Sequence, residues 1–92
     1  MAEARFVLGQ TVSTPGALKA LEEAGQDALP FLVRHVTGDW GNVDRYDRHA
    51  NEIGVEQGLR IFSSYTLVNG KTIWVITEAD RSVTTVLLPQ EY

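Results

Sequence analysis

The polar residues best suited to chemistry cluster between the last two predicted strands, in the segment EADRS at 78–82. Glu78, Asp80 and Arg81 lie there, and Arg60 is expected across the sheet from them. A carboxylate beside two guanidinium groups can support general acid–base cleavage of RNA. The same residues suit a hairpin loop in which Asp80 forms an Asx turn and the charges pair locally. We favour the loop, because loop segments are commonly polar without being catalytic.

The other residue types that carry chemistry are not arranged as sites. His35 and His49 lack the helical spacing of a zinc motif, so we interpret both as surface or helix-end histidines. Ser63 and Ser64 lie within a predicted strand rather than at a nucleophile elbow. The segment GDWG at 38–41 lacks the spacing of a phosphate-binding loop. We therefore predict no metal and no cofactor, and the absence of cysteine fits a reducing compartment.

Negative charge is concentrated in the middle of the chain. The whole chain has a net charge of −4, whereas residues 22–56 hold eight acids and three arginines, a net charge of −5. Proteins that bind nucleic acid directly are expected to carry a basic surface, so this function is disfavoured. An acidic surface suits a partner protein complex whose nucleic-acid-binding surface is basic. Alternatively, the acidic balance serves only solubility.

The candidate partner-binding residues are these acids and one tryptophan. Trp40 lies in the turn at 39–42 and is interpreted either as a staple that closes the core or as an exposed anchor for a partner. The full candidate set is Glu22, Glu23, Asp27, Asp39, Trp40, Asp44, Asp47, Glu52 and Glu56.

The elements that must position these residues form one predicted domain over residues 1–92, of class α+β. A short strand is predicted over 5–13. Three helices should follow, over 15–24 between Thr14 and Gly25, over 28–37 after an Asp27 cap, and over 43–57 after an Asn42 cap. The third helix is expected to turn Val43, Tyr46, Ala50 and Ile53 inward.

The C-terminal third predicts a three-stranded antiparallel meander over 61–68, 72–77 and 83–88. Asn69-Gly70 is interpreted as a two-residue type I′ turn, which would pair Val68 with Lys71. Both faces of this sheet would be largely apolar. We therefore expect helices on one face and the N-terminal segment or a second copy on the other, in a monomer or a homodimer.

Four blocks of the chain resemble a known family: LGQTVSTPGAL, FLVRHVTGDWG, GLRIFSSYTL and IWVITEADRSVTTVLLPQEY. The family consists of small bacterial proteins carried on plasmids, phages and integrative elements, usually described as plasmid-related. Some members carry a label as a subunit of type I restriction systems, but this chain is too short to hold such a subunit. The resemblance implies a mobile element, where small acidic proteins often inhibit host defence, as anti-restriction and anti-CRISPR proteins do. Some of these inhibitors mimic the charge of DNA.

Together these features favour a non-enzymatic inhibitor that binds a host defence complex through the acidic helical face. A small ribonuclease or toxin-like enzyme is an alternative, because the order of elements looks like that of barnase-type nucleases and places Arg60, Glu78, Arg81 and Thr84 near the sheet. A dimeric accessory domain is a third. The start MAEARFVLGQ lacks the features of a secretion signal, and no apolar run has membrane-spanning length, so we expect a cytoplasmic protein with no membrane partner.

Overall fold

A computed structural model describes residues 3–92, which form four strands, three α-helices and a final 3₁₀ turn. In chain order these are β1 Gln10–Ser13, α1 Pro15–Ala24, α2 Leu29–Val36, α3 Arg45–Gln57, β2 Ile61–Thr66, β3 Thr72–Thr77, β4 Val83–Leu87 and the turn Pro89–Glu91. The predicted N-terminal strand and three helices are confirmed. Within the described part of the chain, no helix is long and apolar enough to cross a bilayer.

The sheet is mixed, with the strand order β1-β4-β3-β2. β2, β3 and β4 are antiparallel neighbours, whereas β1 runs parallel to β4, from Gln10 opposite Val83 to Ser13 opposite Val86. The predicted three-stranded antiparallel meander is therefore wrong as a description of this sheet. Apolar alternation identifies strands but not their partners, and a meander leaves the backbone groups of β4 free to pair with β1.

The hairpin between β2 and β3 is one residue longer than predicted. Thr66 lies opposite Thr72, and the N–H of Leu67 donates to the carbonyl of Lys71 at 2.7 Å. The loop therefore has three residues, and within it only Gly70 has positive φ, at 86°. The predicted pairing of Val68 with Lys71 is wrong. Because side chains alternate, this shift moves the side chains of β3 to the opposite face relative to β2.

The core lies between the helices and one face of the sheet, called the inner face. Its buried sheet residues are Ile61, Ser63, Tyr65, Leu67, Ile73, Val75, Thr77, Thr84 and Val86. Helices α1 and α2 cover this face with Ala17, Ala20, Leu21, Phe31 and Leu32. The opposite face, called the outer face, carries Val12, Phe62, Trp74, Ile76, Thr85 and Leu87.

Helix α1 matches its predicted bounds. The hydroxyl of Thr14 accepts from the N–H of Ala17 at 3.2 Å, and Gly25 ends the helix in the left-handed conformation. Helix α2 begins at Leu29 with no side-chain cap, so the predicted Asp27 cap is wrong.

Helix α3 begins two residues later than predicted. Asp44 caps it by accepting from the N–H of Asp47 at 2.8 Å, while the side chain of Asn42 donates instead to Thr66 on β2. The helix buries Asn51 and Gly54, and Tyr46 is exposed. Of the four residues predicted to face inward, Val43 is buried and Ile53 is half-buried. The prediction is wrong for Tyr46 and Ala50, which are exposed, because the polar residue Asn51 faces the sheet instead.

Asn51 and the turn before α3 cover the β2 edge of the sheet, called the closed edge. The Asn51 amide donates to the carbonyl of Phe62 at 2.6 Å and accepts from the N–H of Phe62 at 3.0 Å. The N–H of Ser64 donates to the carbonyl of Trp40 at 3.1 Å, and its carbonyl accepts from the N–H of Asn42 at 2.7 Å. These bonds satisfy backbone groups that would otherwise be free for another strand.

Candidate functional site

A chain of buried polar groups runs through the core from β2 to the segment before β1. The Nδ1 and Nε2 atoms of His35 lie 2.6 Å from the Ser63 hydroxyl and 2.9 Å from the Thr77 hydroxyl. The Thr77 hydroxyl lies 2.7 Å from that of Thr84, which donates to the carbonyl of Leu8 at 2.7 Å. His35 is fully buried, so its predicted surface position is wrong.

The direction of these hydrogen bonds fixes the tautomer of His35. Thr84 donates its one hydroxyl proton to the carbonyl of Leu8, so the Thr84 oxygen must accept from the hydroxyl of Thr77. Thr77 must then accept from Nε2–H of His35, and Nδ1 accepts from Ser63. Burial, with a smaller contribution from the charge of Arg81, lowers the pKa of His35 to about 4, so the ring is neutral near pH 7.

This Ser–His contact is structural. Ser63 is fully buried, so no substrate reaches its hydroxyl. The rings of Phe6 and Trp40 pack against His35, with centroids 5.3 and 6.1 Å from that of the imidazole. Within residues 3–92 every buried side-chain nitrogen and oxygen atom has a hydrogen-bond partner. A fully satisfied network of this kind specifies the packing of the core rather than reacting.

The residues of the ribonuclease alternative do not converge. Thr84 is buried in the polar chain, and the guanidinium of Arg81 donates to the carbonyls of Leu59 at 2.7 Å and Gly54 at 2.9 Å. Arg60 donates to the hydroxyl of Tyr92 at 2.5 Å beside the outer face.

The hairpin loop at 78–82 is organised by its own side chains. Asp80 accepts from the backbone N–H and the hydroxyl of Ser82 at 2.9 and 2.6 Å, which confirms the predicted Asx turn. These bonds lower the pKa of Asp80. Arg81 adopts a positive φ of 60° at this turn.

Three of the eight candidate acids are held in ion pairs. Glu23 meets Lys71 at 3.1 Å, Asp39 meets Arg34 at 2.7 Å and Glu52 meets Arg5 at 2.7 Å. Hydrogen bonds from Arg34 and Arg5 lower the pKa values of Asp39 and Glu52 respectively. The arginines cancel much of the negative potential that Asp39 and Glu52 present to a partner.

Trp40 is part of the interior. Its side chain is 4% exposed, packs in a second buried cluster with Val43 and Ile61, and donates from Nε1 to Glu52 at 3.0 Å. Of its two predicted roles, the structure therefore supports the staple that closes the core.

The remaining acids lie in separate places. Asp44 caps α3, and Asp47 borders a pocket on the outer face together with Arg60 and Trp74. Burial and the neighbouring charge of Asp44 raise the pKa of Asp47. Glu56 lies near the end of α3. The hydrogen bond to Glu52 is the main cause of the raised pKa of Arg5, and the charge of Glu56 adds a small part. Asp39 and Glu52 line one cavity with Trp40 and Arg48, where both acids are already paired with arginines. Glu22 and Asp27 border a different cavity.

That cavity lies between α1 and the start of α2 and is called the helix groove. It is open, has a volume of about 450 Å³, and is lined by Leu18, Leu21, Glu22, Gln26, Asp27 and Ala28. Leu18, which lines the groove, is 55% exposed. Leu29 and Val33 of α2 do not line it and are 67% and 52% exposed. Leu29 and Val33 are four residues apart and so lie on one side of α2.

The outer face forms a second open pocket, which is aromatic. Trp74 makes edge contacts with Phe62 and Tyr92, with ring centroids 5.0 and 5.8 Å apart. Arg60 lies over the ring of Tyr92 at 5.6 Å, and the pocket has a volume of about 230 Å³. With one arginine and one aspartate at its border, this pocket lacks the positive groove that single-stranded nucleic acid requires.

Comparisons with family models, with curated proteins and with solved structures find no match to this chain. Among residues 3–92, no group of three histidine or carboxylate side chains is placed to hold a metal ion. The candidate sites are therefore ranked by the geometry and chemistry of their side chains. The helix groove combines the exposed side chain of Leu18 with two acids, Glu22 and Asp27, that have no ion pair within the described residues.

Of the two buried polar residues that were not predicted to lie in the core, His35 and Asn51, only His35 has a signal in the sequence. His35 follows Phe31 and Leu32 at helical spacing of four and three, and both are buried with it. That spacing identifies His35 as a core residue. By contrast, Asn51 lies among charged residues on α3, and no local pattern distinguishes it from a solvent-facing amide.

Proposed function

We propose that this is a cytoplasmic, non-enzymatic inhibitor carried by a mobile element, and that it binds a host nucleic-acid-handling defence complex through the helix groove. The observation that carries the proposal is that exposed Leu18 shares the groove with Glu22 and Asp27, two acids without an ion pair within residues 3–92. Leu29 and Val33 add exposed apolar surface on α2, the helix that begins beside the groove. The family resemblance supports the mobile-element setting and the class of host target.

The chemistry of the groove selects a basic, amphipathic segment of the partner. Apolar residues of such a segment would cover Leu18, Leu29 and Val33, and its lysines or arginines would meet Glu22 and Asp27. Apolar contact supplies most of the affinity in such interfaces, while charge guides the encounter and sets specificity. Proteins that handle nucleic acid carry basic surfaces of this kind.

A continuous DNA-like charge surface is a weaker version of the same proposal. Mimicry of phosphates needs several free carboxylates on one surface, whereas Glu23, Asp39 and Glu52 are paired with cations. Asp47 lies at the outer-face pocket and Glu22 lies at the helix groove. We therefore assign binding to the groove rather than to total charge.

Binding to purified CRISPR surveillance and type I restriction complexes tests the proposal. The double variant Leu29→Ser/Val33→Ser removes exposed apolar surface, and Glu22→Gln/Asp27→Asn removes the acids of the groove. Asp47→Asn/Glu56→Gln is the matched control, because it removes the same charge from α3. Affinities are measured by surface plasmon resonance at low and high salt, and circular dichroism verifies folding.

We expect the serine variant to lose at least about tenfold in affinity for one of these complexes. The Glu22/Asp27 variant should bind more slowly and lose most of its salt dependence, while the α3 control should bind as the wild type. Equal weakening by both charge variants would favour charge mimicry. Absence of binding to both complexes would contradict the proposed function.

A further inference from the structure

Strand β1 leaves one edge of the sheet unpaired, called the open edge. The N–H groups of Gln10 and Thr14 donate to the carbonyls of Ser82 at 3.0 Å and Val86 at 2.9 Å. Because backbone groups alternate in direction along a strand, the N–H and C=O groups of Thr11 and Ser13 point away from β4. Within residues 3–92 these groups have no hydrogen-bond partner.

Of the usual protections against strand addition, the open edge has only one, a short strand. Natural edge strands are commonly guarded by charged side chains, by proline, by a bulge or by a covering segment. The residues Gln10 to Ser13 are uncharged, contain no proline and are mostly exposed, with Val12 39% exposed. Only the short length of β1 limits pairing here.

We propose that the open edge of β1 pairs with β1 of a second copy of this chain, antiparallel, around a two-fold axis at Val12. The outward-facing residues Thr11 and Ser13 are two apart, so each would face the other's equivalent and exchange both backbone hydrogen bonds. Val12 would lie opposite Val12 of the second copy, and these two residues would form a non-hydrogen-bonded pair. One contact surface thus complements itself, as a two-fold dimer requires.

Side chains around the axis suit a second copy rather than a charged peptide. No charged residue lies within Gln10–Ser13, so two-fold pairing sets no like charges against each other. Val12 lies on the outer face, in register with Thr85, and Thr85 lies opposite Ile76. Pairing would therefore join two sheets into one of eight strands with a continuous outer face. The contact is small, so the dimer should depend on concentration.

A proline scan of β1 tests this pairing. Thr11→Pro removes an outward N–H that β4 does not use, so it should block dimerisation without destabilising the monomer. Gln10→Pro, one residue away, removes an N–H bonded to Ser82 and should lower the melting temperature. Val12→Lys is a second blocking variant, because it places two like charges across the axis. Trp74→Ser is the control for association through the outer face.

Sedimentation equilibrium from the micromolar to the millimolar range gives the readout. We expect wild type and Trp74→Ser to dimerise with rising concentration, and Thr11→Pro and Val12→Lys to stay monomeric. Hydrogen exchange at the amides of Thr11 and Ser13 should slow on dimerisation, with little change at Val12. A wild type that is monomeric throughout, a dimer that survives both blocking variants, or a dimer lost only in Trp74→Ser would overturn the proposal.

Discussion

The two edges of the sheet differ in whether other parts of the chain bind their backbone groups. Along β2, a buried asparagine and the turn at 40–42 occupy the backbone groups of Phe62 and Ser64. Along β1, Thr11 and Ser13 meet nothing within residues 3–92. The closed edge belongs to the interior of the molecule, and the open edge is a surface. The difference indicates where this sheet can accept another chain and where it cannot.

The largest effect should come from breaking the closed edge at Asn51. Asn51→Ala leaves the N–H and C=O of Phe62 without partners in a partly buried place, which should lower the free energy of unfolding by about 3 kcal/mol. Thr11→Ala on the open edge is the control and should change it by less than about 0.5 kcal/mol. Urea denaturation at low protein concentration measures both values. Equal losses would remove the distinction between the edges.

Gly41 provides a second, slightly smaller test of the closed edge. A Cβ atom at this position would collide with the carbonyl oxygen of Ser64, and the residue has a φ of 72°. Gly25 has a similar φ of 66°, but a Cβ atom there would have no neighbour within 4 Å. We expect Gly41→Ala to cost about 2–3 kcal/mol and Gly25→Ala about 1 kcal/mol, measured by urea denaturation. Equal costs would show that the contact with β2 is unimportant.

Acidification should weaken the polar chain that connects the two edges. The pKa of His35 is about 4 in the folded state against an ordinary value of 6.5, so the unfolded chain binds a proton first as the pH falls. The contribution is complete above pH 6.5 and is lost towards pH 4, at up to about 1.4 kcal/mol per pH unit.

The measurement is urea denaturation between pH 6.5 and 5.5, where the carboxylates are still largely ionised. His35→Gln should abolish the dependence in this interval, whereas the exposed His49→Gln should retain it. A slope that persists in His35→Gln would mean that another group titrates.

Local sequence signals predict those elements that are stabilised by local interactions. Helix α1 has its bounds set by Thr14, Pro15 and Gly25, all within the segment itself, and its predicted limits are confirmed. Strand β3 is likewise confirmed over Thr72–Thr77, because an unbroken β-branched and aromatic run has no competing pattern. The predicted start of α3 is wrong because Asn42 and Asp44 are both good capping residues. Asp44 caps the helix, whereas the side chain of Asn42 donates to Thr66.

Features that depend on distant partners were not predictable from local patterns. Asn69-Gly70 allows a two-residue or a three-residue loop, and the choice sets which face of β3 is buried. His35 meets Ser63 and Thr77 only after the sheet has formed. Among the candidate site residues, the charges of Glu22 and Asp27 were identified, but the apolar groove beside them requires the packing of α1 on α2.

The pairing of β1 with β4 has a consequence for synthesis of the chain. Gln10 leaves the ribosome long before its partner Val83, and at about 5–20 residues per second the interval lasts several seconds. During that time the first strand has no neighbour in the nascent protein, and the sheet can be completed only after translation of β4. Strand β1 is therefore synthesised before the other strands but is among the last to form its backbone hydrogen bonds.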